Sequence, residues 1–471
     1  MSRADNGYAT LMVTCQPEQR KRSPNAPVQR LQVRGPCRMV FATMITCSLN
    51  EILDSARDWL DREVGWPAGV TLDGVRLLRL WPGRPGPINF ELELQITQQG
   101  GQRRYALQGG LAAGEGHGGR RSRIRLSSRG LLGLRLADGP EGMWICTPDR
   151  DHKLPNVRTL LHPAELRQRL VGSATASYLR MDDDASRLRS RVVTYRAEKR
   201  CVIRARVDGP RQPPRVYIKL LHRPIEPDSV ETVNHLTDFL RGKRDAPIRV
   251  PTTLDVWPTD HLWITADVGA DARKLGVSSE ETKRAAQALS TLHSAPITPK
   301  RRHGATDELA TTRRWANVVG WLRSADDGHF GELLERLAAR LEPLDDHGTS
   351  LIHCDYYHAQ LLETANSLWL VDLDSLAWGH PELDVATMTA QRILARLAAG
   401  CPLEDMVAGG GSFGETYRRA GGRICEKRLA FYLPCVLTRL GALHLPRPSG
   451  FERACQLWSL AQSCLDGEWT L

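Results

Sequence analysis

The sequence predicts an α+β protein of two lobes, a β-rich lobe followed by a helical lobe, with a smaller α+β domain ahead of them. Three observations carry this prediction. Strand patterns punctuated by Pro- and Gly-rich turns dominate as far as Leu221. Helical periodicity dominates from Asp228 onward. The chain, at 471 residues, also exceeds what a single hydrophobic core usually supports. Strands in one run and helices in the next segregate into separate layers or lobes.

Residues 1–45 read as a disordered basic tail, because residues 1–40 hold seven Lys or Arg against only Asp5 and Glu18 and show no apolar period. Met39 and Met44 are therefore candidate starts of translation. A first α+β domain is expected over residues 46–180. It opens on a capping-box pattern, Ser48 with Glu51, ahead of a helix that puts Ile52, Leu53, Ala56, Trp59 and Leu60 on one stripe. Strands at Val75–Leu80 and Ile88–Ile96 follow, joined across Pro82–Pro87. Gly109–Gly119 reads as a loop without a G-x-G-x-x-G register, so no phosphate-binding role is assigned to it.

The β-rich lobe is expected over residues 185–268. Its strands lie between Arg191 and Leu221, interrupted by the turn Pro210–Pro214, with "HLWITADVG" supplying a further strand and turn. Both this lobe and the first domain place a basic turn between two strands after an aromatic residue. The first domain is thus either a degenerate copy of the second sheet or an unrelated pair of hairpins. Asp228 or Ser229 caps a helix through Arg241. The helical lobe, residues 269–471, contains a second capping box, Ser278 with Glu281, before a helix that buries Ala285, Ala288, Leu289 and Leu292. Further helical patterns cover Asp384–Leu397 and Arg428–His444.

Composition excludes several classes. The apolar fraction of 41% and charged fraction of 25% are those of a water-soluble globular protein. No apolar run reaches the ~18 residues of a membrane span, and a secretory signal pattern is absent, so a cytoplasmic, non-membrane protein is expected. Eleven cysteines, scattered without a C-x-x-C pair, predict reduced thiols and no structural zinc. A net charge of +10 raises nucleic acid as a partner. Half of that excess sits in the tail, and no aromatic-basic module accompanies it, so none is expected.

The segment Leu351–Ala386 carries the chemistry. Asp355 follows a short apolar strand, the amide of Gln360 comes five residues later, and Asp372 ends another apolar strand twelve residues beyond that. Two strand-end carboxylates and an amide oxygen suit Mg²⁺, a hard cation that keeps waters for substrate phosphates. Phosphoryl transfer asks little more of a protein than that ion, a cation on the phosphates and a group that orients the attacking hydroxyl.

The same segment resembles the catalytic and metal-binding loops of the aminoglycoside-phosphotransferase and choline-kinase family, which has the protein kinase-like fold. His353 and Asp355 match its His-Gly-Asp, Val371-Asp372 its Ile-Asp, Gly379 and Pro381 its Gly-Asp-Pro, and Asp384-Val385-Ala386 its Asp-Leu-Ala. Three positions depart from the pattern: Gln360 stands for the usual metal-binding Asn, as in maltokinases, Cys354 for the glycine and Tyr357 for the second histidine. The resemblance implies an ATP- and Mg²⁺-dependent kinase acting on a small-molecule hydroxyl, or a catalytically silent scaffold of the same fold. It implies Asp355 as catalytic base, Gln360 and Asp372 as magnesium ligands, and His353 and Asp384 as braces of the loops. Asp374 is a further candidate metal contact, with a turn-stabilising role as the alternative.

In the β-rich lobe, the resemblance implies that Lys219 of "VYIKLL" holds the ATP phosphates and pairs with Glu231 on the next helix, Glu226 being the alternative. Backbone groups at Ile264–Ala266 would hold adenine. No glycine-rich phosphate loop precedes Lys219. "YRAEKR" takes its place and reads as a solvated basic turn, or as a substitute in which Arg196, Lys199 and Arg200 supply the missing attraction.

Overall fold

The computed structural model describes residues 53–64, 66, 68–82, 88–98, 101–111, 125–127, 130–132, 134–136, 143–181, 187–208, 213–322, 329–341, 344, 347–401, 413–445, 447 and 450–468. The basic tail, the Ser48–Glu51 capping box and most of the loops Pro82–Pro87, Gly109–Gly119 and Pro210–Pro214 lie outside the described residues.

Helix α1 (53–63) buries Ala56, Trp59 and Leu60 of the expected stripe and partly buries Leu53, while Ile52 lies outside the described residues. Strands β1 (Val70–Pro82), β2 (Ile88–Gln98) and β3 (Gly101–Leu111) form an antiparallel meander. A small hairpin, β4 (Arg125–Ser127) with β5 (Gly130–Leu132), precedes β6 (Arg135–Leu136) and β7 (Met143–Cys146). The sheet order is β1-β2-β3-β7-β6. Phe90, Leu92, Leu94 and Ile96 alternate inward along β2, as a strand with one buried face requires. Gly109 does not lie in a loop. It sits in β3 paired with Ile145, where a Cβ would stand 2.1 Å from the Trp144 carbonyl oxygen and 2.8 Å from the Phe90 ring, so only glycine lets the strands close.

Three short helices follow, α2 (Val157–Leu161), α3 (Pro163–Leu170) and α4 (Ala174–Leu179). Their apolar residues Val157, Leu160, Leu166, Leu170 and Leu179 enter the core of the second sheet. Packing therefore places residues 157–179 with the β-rich lobe, on the other side of the domain boundary expected near residue 180. The second sheet contains β8 (Leu188–Arg196), β9 (Arg200–Val207), β10 (Arg215–Leu221), β11 (Thr253–Trp257) and β12 (Leu262–Ala266) in the order β11-β12-β10-β9-β8. In chain order both five-stranded sheets read first, second, third, fifth, fourth, and every pairing in them is antiparallel. Helix α5 (Pro227–Gly242) connects β10 to β11, and it starts on Pro227 at its first turn, with no side-chain cap from Asp228 or Ser229.

The helical lobe comprises β13 (Arg273–Lys274), α6 (Ser279–His293), β14 (Arg302–His303), α7 (Ala305–Arg313), α8 (Ala316–Leu322), α9 (His329–Ala339), β15 (Ser350–Ile352), β16 (Leu361–Thr364), β17 (Ser367–Leu370), β18 (Ala377–Gly379), α10 (Pro381–Ala398), α11 (Phe413–Arg419), α12 (Glu426–His444) and α13 (Gly450–Asp466). The predicted box at α6 forms in full, with Ser278 N–H donating to Glu281 Oε2 at 3.1 Å and Glu281 N–H to Ser278 Oγ at 3.3 Å. Two three-stranded sheets, β13-β16-β17 and β14-β18-β15, carry the loops that follow β15 and β17. One core cluster lies under the second sheet. The other runs without a break from Trp59, Phe90 and Leu94 of the first domain through Val318 of α8 to Trp458 of α13.

Candidate active site

The cleft between the second sheet and the helical lobe encloses about 380 Å³, inside the range of small-molecule and cofactor pockets. Strand parity decides what faces it. In β9, Cys201, Ile203 and Ala205 point into the core, leaving Arg200 and Val202 on the cleft face. In β10, Val216, Ile218 and Leu220 are buried, which turns Tyr217 and Lys219 the same way. Val202 and Tyr217 from above, with Leu362 and Val371 from below, make an apolar slot that opens onto Lys219 and Arg200.

The floor is the loop after β15. His353 Nε2–H donates to the Val371 carbonyl at 2.9 Å, tying this loop to the one after β17. Asp384, on the first turn of α10 and wholly buried, accepts from the backbone N–H of His353 at 2.7 Å and of Cys354 at 2.9 Å. It also accepts from His293 Nε2 at 3.1 Å, and the Tyr417 hydroxyl lies 2.7 Å from His293 Nδ1. A buried carboxylate with three donors is well satisfied. Cys354 has φ of 67°, in the left-handed region, so the position where the family pattern has glycine keeps a glycine's conformation. Gly379 is needed on packing grounds, since its Cβ would come 2.3 Å from Ile352 Cδ1 and 2.5 Å from the His303 carbonyl oxygen.

Asp355, Gln360 and Asp372 converge. Gln360 Nε2 lies 3.4 Å from Asp355 Oδ2 and 3.5 Å from Asp372 Oδ2. A half-turn of the amide exchanges its nitrogen for its oxygen and leaves three oxygen donors around one point. Burial pushes the Asp355 carboxyl up, and nearby Asp372 adds to this, with Arg439 and His353 opposing. At Asp372 burial acts upward but is outweighed by Lys219 and Arg200, which hold it well below the usual carboxylate range. Lys219 Nζ donates to Asp372 Oδ1 and, at 2.5 Å, to Asp374 Oδ1. Arg200 Nη1 stands 3.4 Å from both Asp372 oxygens. With the amide so turned, the set would fit Mg²⁺ held jointly with phosphates, since it would offer only oxygens and too few of them for an all-protein cage. Among the described residues no group of three or more His, Cys, Asp or Glu could hold a metal alone.

Two assignments need correction. Glu231 does not meet Lys219: α5 buries Thr232, Val233 and Leu236, so Glu231 is turned to solvent beside His235, and Val233 lines the cleft. Glu226 is exposed as well, and Asp374 with Asp372 supplies the counter-charge instead. Ile264 is buried in β12, an interior strand of the sheet, with Ile218 and Asp255 opposite it on either side, so its peptide groups belong to the ladder. Thr265, Ala266 and Val268 line the cavity, and the Ala266 N–H donates to the Thr252 carbonyl at 2.9 Å. Two contributors, His293 and Arg439, carried no sequence signal, and Arg200 was one of three basic candidates that the sequence could not separate. Arg200 faces the cleft because of β9 parity, His293 braces Asp384, and Arg439 of α12 pairs with buried Glu308 at 3.1 Å behind Asp355.

A five-stranded lobe set over a helical lobe, with a strand lysine facing strand-end carboxylates across a cleft, defines a phosphotransferase with a kinase-like arrangement. The chain belongs to the phosphotransferase enzyme family, whose pattern it matches over residues 172–423, more than half its length. Among solved structures it is similar to the choline kinase LicA from Streptococcus pneumoniae (10% identity, TM-score 0.40, covering 59% of this chain and 93% of that one). It is also similar to a choline/ethanolamine kinase family protein from Mesorhizobium loti (15%, 0.41, 64% and 94%). A spectinomycin phosphotransferase solved with ADP and spectinomycin gives 12% identity, a TM-score of 0.41, and coverage of 58% and 92%. No curated protein matches it. Among the described residues no helix is long and apolar enough to cross a membrane.

Proposed function

We propose that the protein is an ATP- and Mg²⁺-dependent phosphotransferase that moves the γ-phosphate to a hydroxyl of a small molecule such as a sugar, an aminoglycoside-like compound or another metabolite. The observation that carries this is the meeting of Asp355, Gln360 and Asp372 at one end of the cleft with Lys219 on its opposite wall. The slot between Val202, Tyr217 and Leu362 would take the adenine. Lys219 would meet the phosphates. Gln360 and Asp372 would hold the ion, which when bound neutralises charge developing on the transferred group. Asp355, with its proton affinity raised by burial, orients the acceptor hydroxyl and receives its proton.

The test is ADP release with Mg²⁺ across panels of sugars, aminoglycosides and amino alcohols, with a phosphate adduct confirmed by product mass. Asp355→Asn is expected to lower turnover by about 10²- to 10⁴-fold while nucleotide still binds. Gln360→Ala is expected to raise the Mg²⁺ concentration for half-maximal rate, and Gln360→Asn to do so less. An Asp355→Asn enzyme with wild-type turnover ends the proposal. Nucleotide binding with no transfer to any acceptor favours a silent scaffold.

A further inference from the structure

We infer that the turn between β8 and β9 meets the donor's phosphates through the side chain of Arg200 rather than through backbone amides, and that the first domain fixes it there through Gln108 and Asp151. This rests on the nucleotide-dependent activity proposed above.

A glycine-rich phosphate loop works because consecutive backbone N–H groups are unpaired and point at the anion. In this turn none of them is available. The Ala197 N–H donates to Gln108 Oε1, the Glu198 N–H to Asp151 Oδ2 at 2.7 Å, and the Lys199 N–H to the Arg196 carbonyl at 3.1 Å. Two of the three acceptors come from outside the lobe. Gln108 lies in β3 of the first domain, is 3% exposed, and also donates from Nε2 to the Tyr195 carbonyl. Asp151, just beyond β7 and 5% exposed, accepts from the Tyr195 hydroxyl at 3.0 Å as well. Lys153 pairs with Glu198 at 3.0 Å, and Glu198 holds φ of 58°. Residues 195–198 are thus gripped at every peptide by Gln108 of the first sheet and Asp151 of the segment that follows it, and exchanging these partners for a phosphate would strand buried polar groups.

Arg200 is the next residue whose side chain enters the cleft. Its two contacts to Asp372, at 3.4 Å, are longer than charge-assisted bonds usually are. Its Nε is buried with no hydrogen-bond partner. An unsatisfied guanidinium donor beside Lys219, in a cleft whose usual amide cradle is occupied, suits an oxyanion with several acceptor atoms.

The experiment compares binding of a non-hydrolysable ATP analogue with Mg²⁺ and binding of adenosine to the full chain by calorimetry. Arg200→Ala is expected to weaken the analogue roughly ten- to a hundredfold, the loss of a hydrogen-bonded charge, and to leave adenosine within about twofold, the spread expected when no contact is lost. For Gln108→Ala, faster hydrogen exchange at Ala197 and a rise in KM for ATP larger than any fall in kcat are expected. Gln108→Glu keeps the acceptor for the Ala197 N–H but sets a carboxylate oxygen against the Tyr195 carbonyl, so it should restore that protection only in part. Wild-type analogue affinity in Arg200→Ala overturns the inference alone, as does a Gln108→Ala turn that exchanges no faster. A wild-type chain that binds neither ligand overturns the proposed function with it.

Discussion

Asp355, the proposed base, shows how burial tunes a carboxyl. Burial raises its carboxyl above the ordinary value of 3.8, and Asp372 pushes the same way. In the proposed role the base works as a carboxylate, so kcat/KM is expected to fall as pH drops through a value above 3.8. A pH–rate profile of the wild-type enzyme checks this, and an acid limb at or below 3.8 would show that burial does not govern the group. At this scale the sequence was informative where chemistry follows spacing: Asp355, Gln360 and Asp372 sit at the ends of short apolar strands, and those ends meet. It was uninformative where a side chain's direction depends on tertiary register. Arg200 faces the cleft because Cys201 is buried, and Glu231 faces water because Val233 and Leu236 fill the inner side of α5. In neither case does the local composition distinguish a functional charge from a solvated one.

Among the elements, α6 makes the clearest prediction because its start was legible and is built as expected. At Glu281 burial acts to raise the carboxyl, but the hydroxyl and N–H of Ser278, the Gly276 N–H and Arg273 outweigh it and bring it from 4.5 down to about 2. A carboxyl held down in the folded state adds stability above its unfolded value, and that stability is lost as pH falls through the folded value. Glu281→Gln is therefore expected to cost about 1–2 kcal/mol at neutral pH, the difference between charged and neutral hydrogen bonds. The gap between mutant and wild type should close as pH drops from 4.5 to about 2. Urea titrations at several pH values measure it, and a pH-independent gap would assign the effect to shape instead of charge. The first domain was less legible. Its strands were recognisable by alternation, yet Gly109 and Gly110 looked like loop because glycines that permit close strand packing and glycines that permit turns are the same in sequence.

For the whole molecule, the continuous core from α1 to α13 predicts cooperativity. Leu94 is fully buried in the first sheet, and Leu94→Ala is expected to cost about 2–5 kcal/mol. Because that core has no seam at α8, calorimetry should show a single transition moved to lower temperature. A separate low-temperature peak for the first domain would show that it melts independently.

That domain also touches the enzyme twice. It packs on α8 of the helical lobe through β1 and grips the β8–β9 turn of the other lobe through Gln108 and Asp151. The lobes are therefore joined on two sides, by the covalent link after β12 and by this bridge. A two-lobed clamp normally swings on one pivot, but with a strut across its jaws it cannot swing as a rigid body without breaking one set of contacts. Under the proposed function, substrates are then expected to enter and leave by local movement of loops and side chains at the mouth.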